Sequence, residues 1–386
     1  MGSGSGTDCL DLGPMEPIAS APSQSGHAPD MTSPQPGDAE SPWWGTAAAA
    51  TQCEGAAPRS DWAGWEAEER APASRDGNGF RTRYEDDFAL LASHGVRRHR
   101  LTIEWARLEP WPGRWDEDEV AHLRRVLGAA WAAGVAPWAC LLHGSAPGWF
   151  TDDQHGWLDD KAVLTWARHV DRVAEAVGDL VAGWVPIHEP TVAAQLGYGE
   201  GVFPPGRRND DDHRGARAAL LAAEAEAARL LRSGPAPVGV SAGTGDPHES
   251  DDLLMVSAPV DGLELALERT SEAAPHARVL VVTGDPEESP AGVATGGDRT
   301  GDGTGDGAGP GSGGAEAERR QRRLERAVTT VAEAHADGVP VVGAFHQPAV
   351  DGYEWHRGFD ARLGLFDRDR NPRPAVDALP RPGRGS

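Results

Sequence analysis

The stretch Gly183-Trp184-Val185-Pro186-Ile187-His188-Glu189-Pro190 decides how the chain folds. Its apolar part, 183–187, has the length and composition of a short buried strand, and Pro190 marks where that strand must end. His188 and Glu189 stand at that end. A carboxylate in such a place is desolvated by the surrounding walls yet still within reach of a ligand, the condition that favours a proton donor. A loop carboxylate that merely caps a neighbouring segment looks the same in isolation, so the decision rests on the other strand ends.

On the amino-terminal side, 43–52 reads as a first strand with a polar exit at Gln52. An amphipathic helix over 84–94 closes on Gly95, and 96–103 is a second strand that ends at Glu104. A helix over 118–133 closes on Gly134, and 135–142 is a third strand, ending at His143. On the carboxyl-terminal side the alternation continues. Helices fall at 161–177, 215–231, 262–271 and 316–336, and strands at 238–241, 253–257, 278–283 and 340–345. Eight strands with helices between most of them imply a parallel sheet closed into a (β/α)₈ TIM barrel. An open doubly wound sheet is the competing reading, but no Gly-rich phosphate loop follows the first strand. One βα unit is shortened, because 242–252 is too short for a helix and its loops.

The 386 residues divide into a tail and a barrel. Residues 1–40 lack Lys and Arg and are rich in Gly, Ser, Pro and Ala, so they read as a disordered N-terminal tail without the basic start of a signal peptide. The barrel occupies 41–380, interrupted at 286–315 by a Gly- and Asp-rich stretch that reads as a flexible insertion. A formal charge of −24 argues against nucleic acid and against an anionic membrane surface. Cys9, Cys53 and Cys140 are odd in number and lack metal-ligand spacing, which fits reduced thiols and a cytoplasmic protein. No cofactor is implied. His143, His188, Glu189 and His346 could in principle gather around zinc, but no helical His pair supports it, and no metal is expected.

The strand ends form a chemical set: Gln52, Glu104, His143, His188 with Glu189, Ser257, 283–285, and His346 with Gln347, followed by Glu354 and Trp355. Amides, histidines, carboxylates and an indole at one barrel mouth suit a sugar, with polar groups for hydroxyls and a flat ring for the C–H face.

These segments resemble glycoside hydrolase family 1, the β-glucosidase and β-galactosidase family. Residues 46–55 are similar to the first-strand segment, which implies that Gln52 binds a sugar hydroxyl. His99-Arg100-Leu101-Thr102-Ile103-Glu104-Trp105 resembles the second-strand motif, which places Arg100 beside the nucleophile. His143 matches the sugar-binding histidine, and Ile187-His188-Glu189-Pro190 resembles Asn-Glu-Pro, which makes Glu189 the general acid/base. Asp351-Gly352-Tyr353-Glu354-Trp355 resembles the last motif, in which Glu354 and Trp355 hold the sugar's far hydroxyls. The resemblance implies a β-linked sugar or glycoside as ligand.

The departures from that family fall on one half of the site. Where relatives end the seventh strand with Thr-Glu-Asn-Gly, this chain has Thr283-Gly284-Asp285-Pro286, so Gly284 takes the nucleophile's place. The Asn that contacts the sugar 2-hydroxyl is His188, the supporting sixth-strand Tyr is Ala258, and two tryptophans are Gly144 and Gln347. Asp285 is a substitute nucleophile nearby, though side-chain alternation turns it away unless a bulge re-aims it. Glu104 is another displaced carboxylate, better read as pairing with a neighbouring arginine. Two functions stay open: a β-glycosidase with weak or absent activity, and a non-catalytic protein of the same fold that binds a sugar or a partner.

Overall fold

A computed structural model describes residues 41–241, 253–284 and 312–380. The N-terminal tail, the link 242–252, Asp285 and nearly all of the insertion lie outside the described residues.

Eight strands form one sheet: β1 (Trp43–Ala48), β2 (Arg98–Thr102), β3 (Ala136–Cys140), β4 (Gly183–Val185), β5 (Gly239–Ser241), β6 (Leu253–Ser257), β7 (Val279–Gly284) and β8 (Val341–Gln347). Every ladder is parallel, in the order β4-β3-β2-β1-β8-β7-β6-β5. A parallel bridge between Trp184 and Val238, with Trp184 N donating to Pro237 O at 2.8 Å, joins the two ends. The sheet is therefore closed, and the fold is a (β/α)₈ barrel.

The described helices are α1 (Ala50–Glu54), α2 (Asp61–Ala67), α3 (Phe80–Ser93), α4 (Trp105–Leu108), α5 (Glu117–Ala132), α6 (Ala162–Val177), α7 (Pro190–Ala194), α8 (Asp210–Leu231), α9 (Leu263–Ala273) and α10 (Ser312–Ala336). The last begins inside the stretch read as an insertion. Their starts follow local chemistry. Asp116 caps α5 by accepting from Glu119 N, and three acidic residues complement the dipole of its first turn. Asn209 caps α8 by accepting from Asp211 N and Asp212 N. No described helix stands between β5 and β6, and none of the described helices is long and apolar enough to cross a membrane.

Strand alternation separates two cores. The inward side chains Ala47, Trp138, Cys140, Val185, Leu253, Met255, Leu280, Val282 and Phe345 fill the barrel. Trp43 stacks edge-on against Phe345 at 5.1 Å and lies 5.8 Å from Trp138, so the floor is aromatic. That floor needs Gly343, where a Cβ would overlap the Trp43 ring. The outward residues, such as Trp44, Leu101, Trp184 and Ala344, pack under the helices.

Two strand ends differ from the sequence reading. Gln52 is not a strand exit: β1 stops at Ala48 and Gln52 sits in α1. The run Ala47-Ala48-Ala49-Ala50 carries neither period, so nothing in it marks the change from strand to helix. β8 runs on to Gln347, which puts His346 and Gln347 on opposite faces.

Candidate active site

The carboxyl ends of the strands converge on a cavity of about 70 Å³. His143, Gly144, His188, Glu189 and Trp355 line it, together with Asp61 at the start of α2 and Tyr198 and Phe203 from the segment after α7. Gln52, Arg100 and Glu354 are buried behind that wall and joined to it by one continuous chain of hydrogen bonds. Gln52 Nε2 donates to Glu354 Oε2 at 2.8 Å, and Gln347 Nε2 donates to Gln52 Oε1 at 3.2 Å. Arg100 Nη2 donates to Gln347 Oε1 at 2.6 Å, and Arg100 Nη1 donates to His188 Nδ1 at 3.1 Å. The six polar side chains from Glu354 through Gln52, Gln347, Arg100 and His188 to Glu189 thus lie side by side, although they come from β2, β8 and the segments that follow β1, β4 and β8.

Arg100 fixes the state of His188. A guanidinium only donates, so Nδ1 of His188 must be the bare nitrogen and Nε2 carries the proton. That N–H lies 4.0 Å from Glu189 Oε2. Burial, with His143 and Arg100 nearby, holds the His188 pKa well below the usual histidine range. Burial and Arg100 do the same to His143, whose ring centre is 4.0 Å from that of His188. Both rings are neutral, and among the described residues the buried Nδ1 of His143 has no partner.

Glu189 begins α7 with a left-handed backbone, φ 48° and ψ 60°. Holding a non-glycine residue there costs about 1–3 kcal/mol and recurs at functional sites. Burial raises the carboxyl above its ordinary value, against a hydrogen bond from Ser257 and the charge of Arg100, which lower it. The direction suits a proton donor. Ser257 reaches Glu189 because it is the last inward residue of β6, in register with Val282 of β7.

Gly284 is the last residue of β7 and the register partner of Gln347. Val282 faces the barrel interior, so residue 284 faces inward too, in the layer that holds Gln347 and the tip of Arg100. No side chain projects from it. Gly144 has φ +79°, and a Cβ there would lie 2.5 Å from Trp355 Cη2. The indole is held over that gap by Trp62, with ring centres 4.7 Å apart, and by Phe203 at 5.1 Å.

Some sequence-based expectations shift. His346 points out of the barrel and lines a separate small cavity with Val260 and Leu363, so it does not join His143 and His188. Glu104, expected to pair with an arginine, accepts from Ser145 Oγ at 2.8 Å and caps α4. Asp61 was not foreseen. Both its oxygens are engaged, one by Ala146 N at 3.0 Å and one by Thr151 Oγ1 at 2.9 Å, and burial pushes its pKa up to about 7.

The model of glycosyl hydrolase family 1 matches residues 39–245, more than half of the chain. The chain belongs to glycosyl hydrolase family 1. Among family relatives, beta-glucosidase 1B of Phanerodontia chrysosporium is 35% identical over 132 residues, which cover 33% of this chain and 24% of that protein. Beta-glucosidase 1 of Oryza sativa subsp. japonica is 32% identical over 175 residues, 42% of this chain and 34% of that protein. The matches thus span a quarter to a third of these curated relatives. The family fold extends further: a beta-glycosidase from Pyrococcus horikoshii superposes with TM-score 0.71 at 21% identity, over 88% of this chain and 92% of that one. The family 1 β-glucosidase of Thermotoga maritima gives 0.72 at 18% identity, over 88% and 96%, and a further structure of that enzyme holds deoxynojirimycin.

Proposed function

We propose that this family 1 chain keeps the proton-donor half of a β-glycosidase site and has lost the nucleophile half, so that its hydrolysis of β-linked glycosides is weak or absent. The observation that carries the reading is Gly284. It stands at the inward carboxyl end of β7, in the layer of Arg100 and Gln347, with no side chain to offer. Retention through a covalent intermediate needs two carboxyls about 5–5.5 Å apart, one as acid and one as nucleophile. Glu189 supplies the first. Asp61 is the other carboxyl on the cavity wall, and two hydrogen bonds already hold it to the loop behind.

In this reading Glu189 is the acid/base. Gln52, Arg100, His143, His188, Glu354 and Trp355 frame the sugar site, and Asp285 is the fallback nucleophile. No metal or cofactor enters the scheme. The free, buried thiols Cys53 and Cys140 support a cytoplasmic setting.

The alternative is a pseudoenzyme that binds a sugar or a protein partner, and the polar chain favours it. Groups that would hold sugar hydroxyls bind each other instead, from Glu354 through Gln52 and Gln347 to Arg100.

Initial rates on an aryl β-glycoside at neutral pH test the proposal. Turnover close to background is expected. Robust turnover that survives purification and disappears in Asp285→Ala would overturn it and make Asp285 the nucleophile.

A further inference from the structure

We infer that Arg100 holds a small monovalent anion, of carboxylate or halide type, beside Gly284 inside the barrel mouth. The inference rests on the reading of residue 284 given above. Arg100 has no solvent exposure, and a guanidinium stays charged throughout the pH range of a folded protein. Its two hydrogen bonds go to neutral acceptors, His188 Nδ1 and Gln347 Oε1. Its buried Nε has no acceptor among the described residues. Among the described residues no carboxylate lies within ion-pair distance of it. The carboxylate whose field reaches it is Glu189, which lies beyond ion-pair distance. An uncompensated buried cation is among the least favourable arrangements a fold can hold, and a buried donor without an acceptor calls for a ligand, ion or water.

The topology says where the anion would sit. Gly284 and Gln347 are register partners that face the barrel axis, and Gln347 Oε1 is 2.6 Å from Arg100 Nη2. The guanidinium therefore reaches the layer in which residue 284 contributes no side chain. Among the described residues two of its five N–H groups find acceptors, and the remaining ones include Nε. Nε–H and a neighbouring Nη–H form the side-on fork that matches a carboxylate with two parallel bonds. A halide would take the same donors singly.

Formate and bromide are suitable probes. The melting temperature of the full chain is followed against sodium formate at constant ionic strength, for the wild type, Arg100→Met and Gly284→Glu. The wild type should show a saturable rise of about 2–4 °C. Gly284→Glu, carrying its own carboxylate, should melt higher at the outset and ignore formate. Crystals soaked in bromide should give an anomalous peak within hydrogen-bond distance of Arg100. A formate response in Gly284→Glu equal to that of the wild type, or bromide found only elsewhere, overturns the inference. If Arg100→Met does not fold, the Gly284→Glu comparison and the bromide peak decide alone. Full glycoside turnover with a formate response would remove the functional proposal and leave the anion site standing. No turnover and no formate response would do the reverse.

Discussion

The Trp355 indole occupies the space in front of Gly144, so that a Cβ at residue 144 would come within 2.5 Å of its Cη2. The two residues are therefore coupled, and the cavity wall on this side is set by the pair. Gly144→Ala combines a left-handed backbone with that overlap and should destabilise by about 2–4 kcal/mol. Trp355→Ala should cost about 3–5 kcal/mol on its own, by leaving a hole among Trp62, Tyr353 and Phe203. In the double variant the overlap is gone, so urea titrations should show a total smaller than the sum of the two. Strict additivity would mean that the indole moves aside freely.

Arg370 and Asp87 make the other long-range lock. Nε and Nη2 of Arg370 donate to the two oxygens of Asp87 at 2.7 and 2.8 Å, with both side chains buried. The pair fastens the segment after β8, which carries Glu354 and Trp355, to α3. Asp87→Ala strands a buried cation and should cost about 3–5 kcal/mol in chemical denaturation. A loss below about 1 kcal/mol would show the pair to be solvated.

Stability should also fall as pH rises through the range of Asp61. Burial raises its pKa from 3.8 to about 7 in the folded chain, so between those values the folded state binds the proton and the unfolded state does not. Its contribution is complete below about pH 4 and is lost by about pH 7, at a slope on the order of 1 kcal/mol per pH unit. Glu54, raised to about 7 by burial, acts in the same direction. Asp61→Asn keeps the shape, and the Thr151 hydroxyl can turn to accept, so its stability should be flatter between pH 4 and 7. Identical slopes for the two proteins would place the titration elsewhere.

The alternation of strand and helix was legible because each strand is an apolar run and most helices close on glycine or start after a cap. β6 lies at 253–257 in both the sequence reading and the structure. Misreadings came where the sequence has no period. The alanine run hid the break between β1 and α1, and the polar 209–214 concealed the start of α8, though Asn209 before three aspartates is a cap signal. Most of the family motifs were readable because they sit at strand ends. Asp61, Tyr198 and Phe203 were not, since they reach the cavity from segments between strands whose course no local pattern fixes. Gln347 was visible as a departure from the family, but its bonds to Arg100 and Gln52 depend on the inward alternation of β8, and that required the register.

The most direct test of residue 284 as the lesion is aryl β-glycoside hydrolysis by Gly284→Glu beside the wild type. The new carboxylate should face inward next to Arg100, across from Glu189. The expected result is a gain on the order of 10²-fold or more, since a positioned nucleophile can act with effective molarities of about 10⁵ M and above. Adding Glu189→Gln should remove about 10²-fold or more of that gain by taking away the proton donor. A folded Gly284→Glu protein that hydrolyses no faster than the wild type, or a wild type already as fast as the variant, would contradict the assignment.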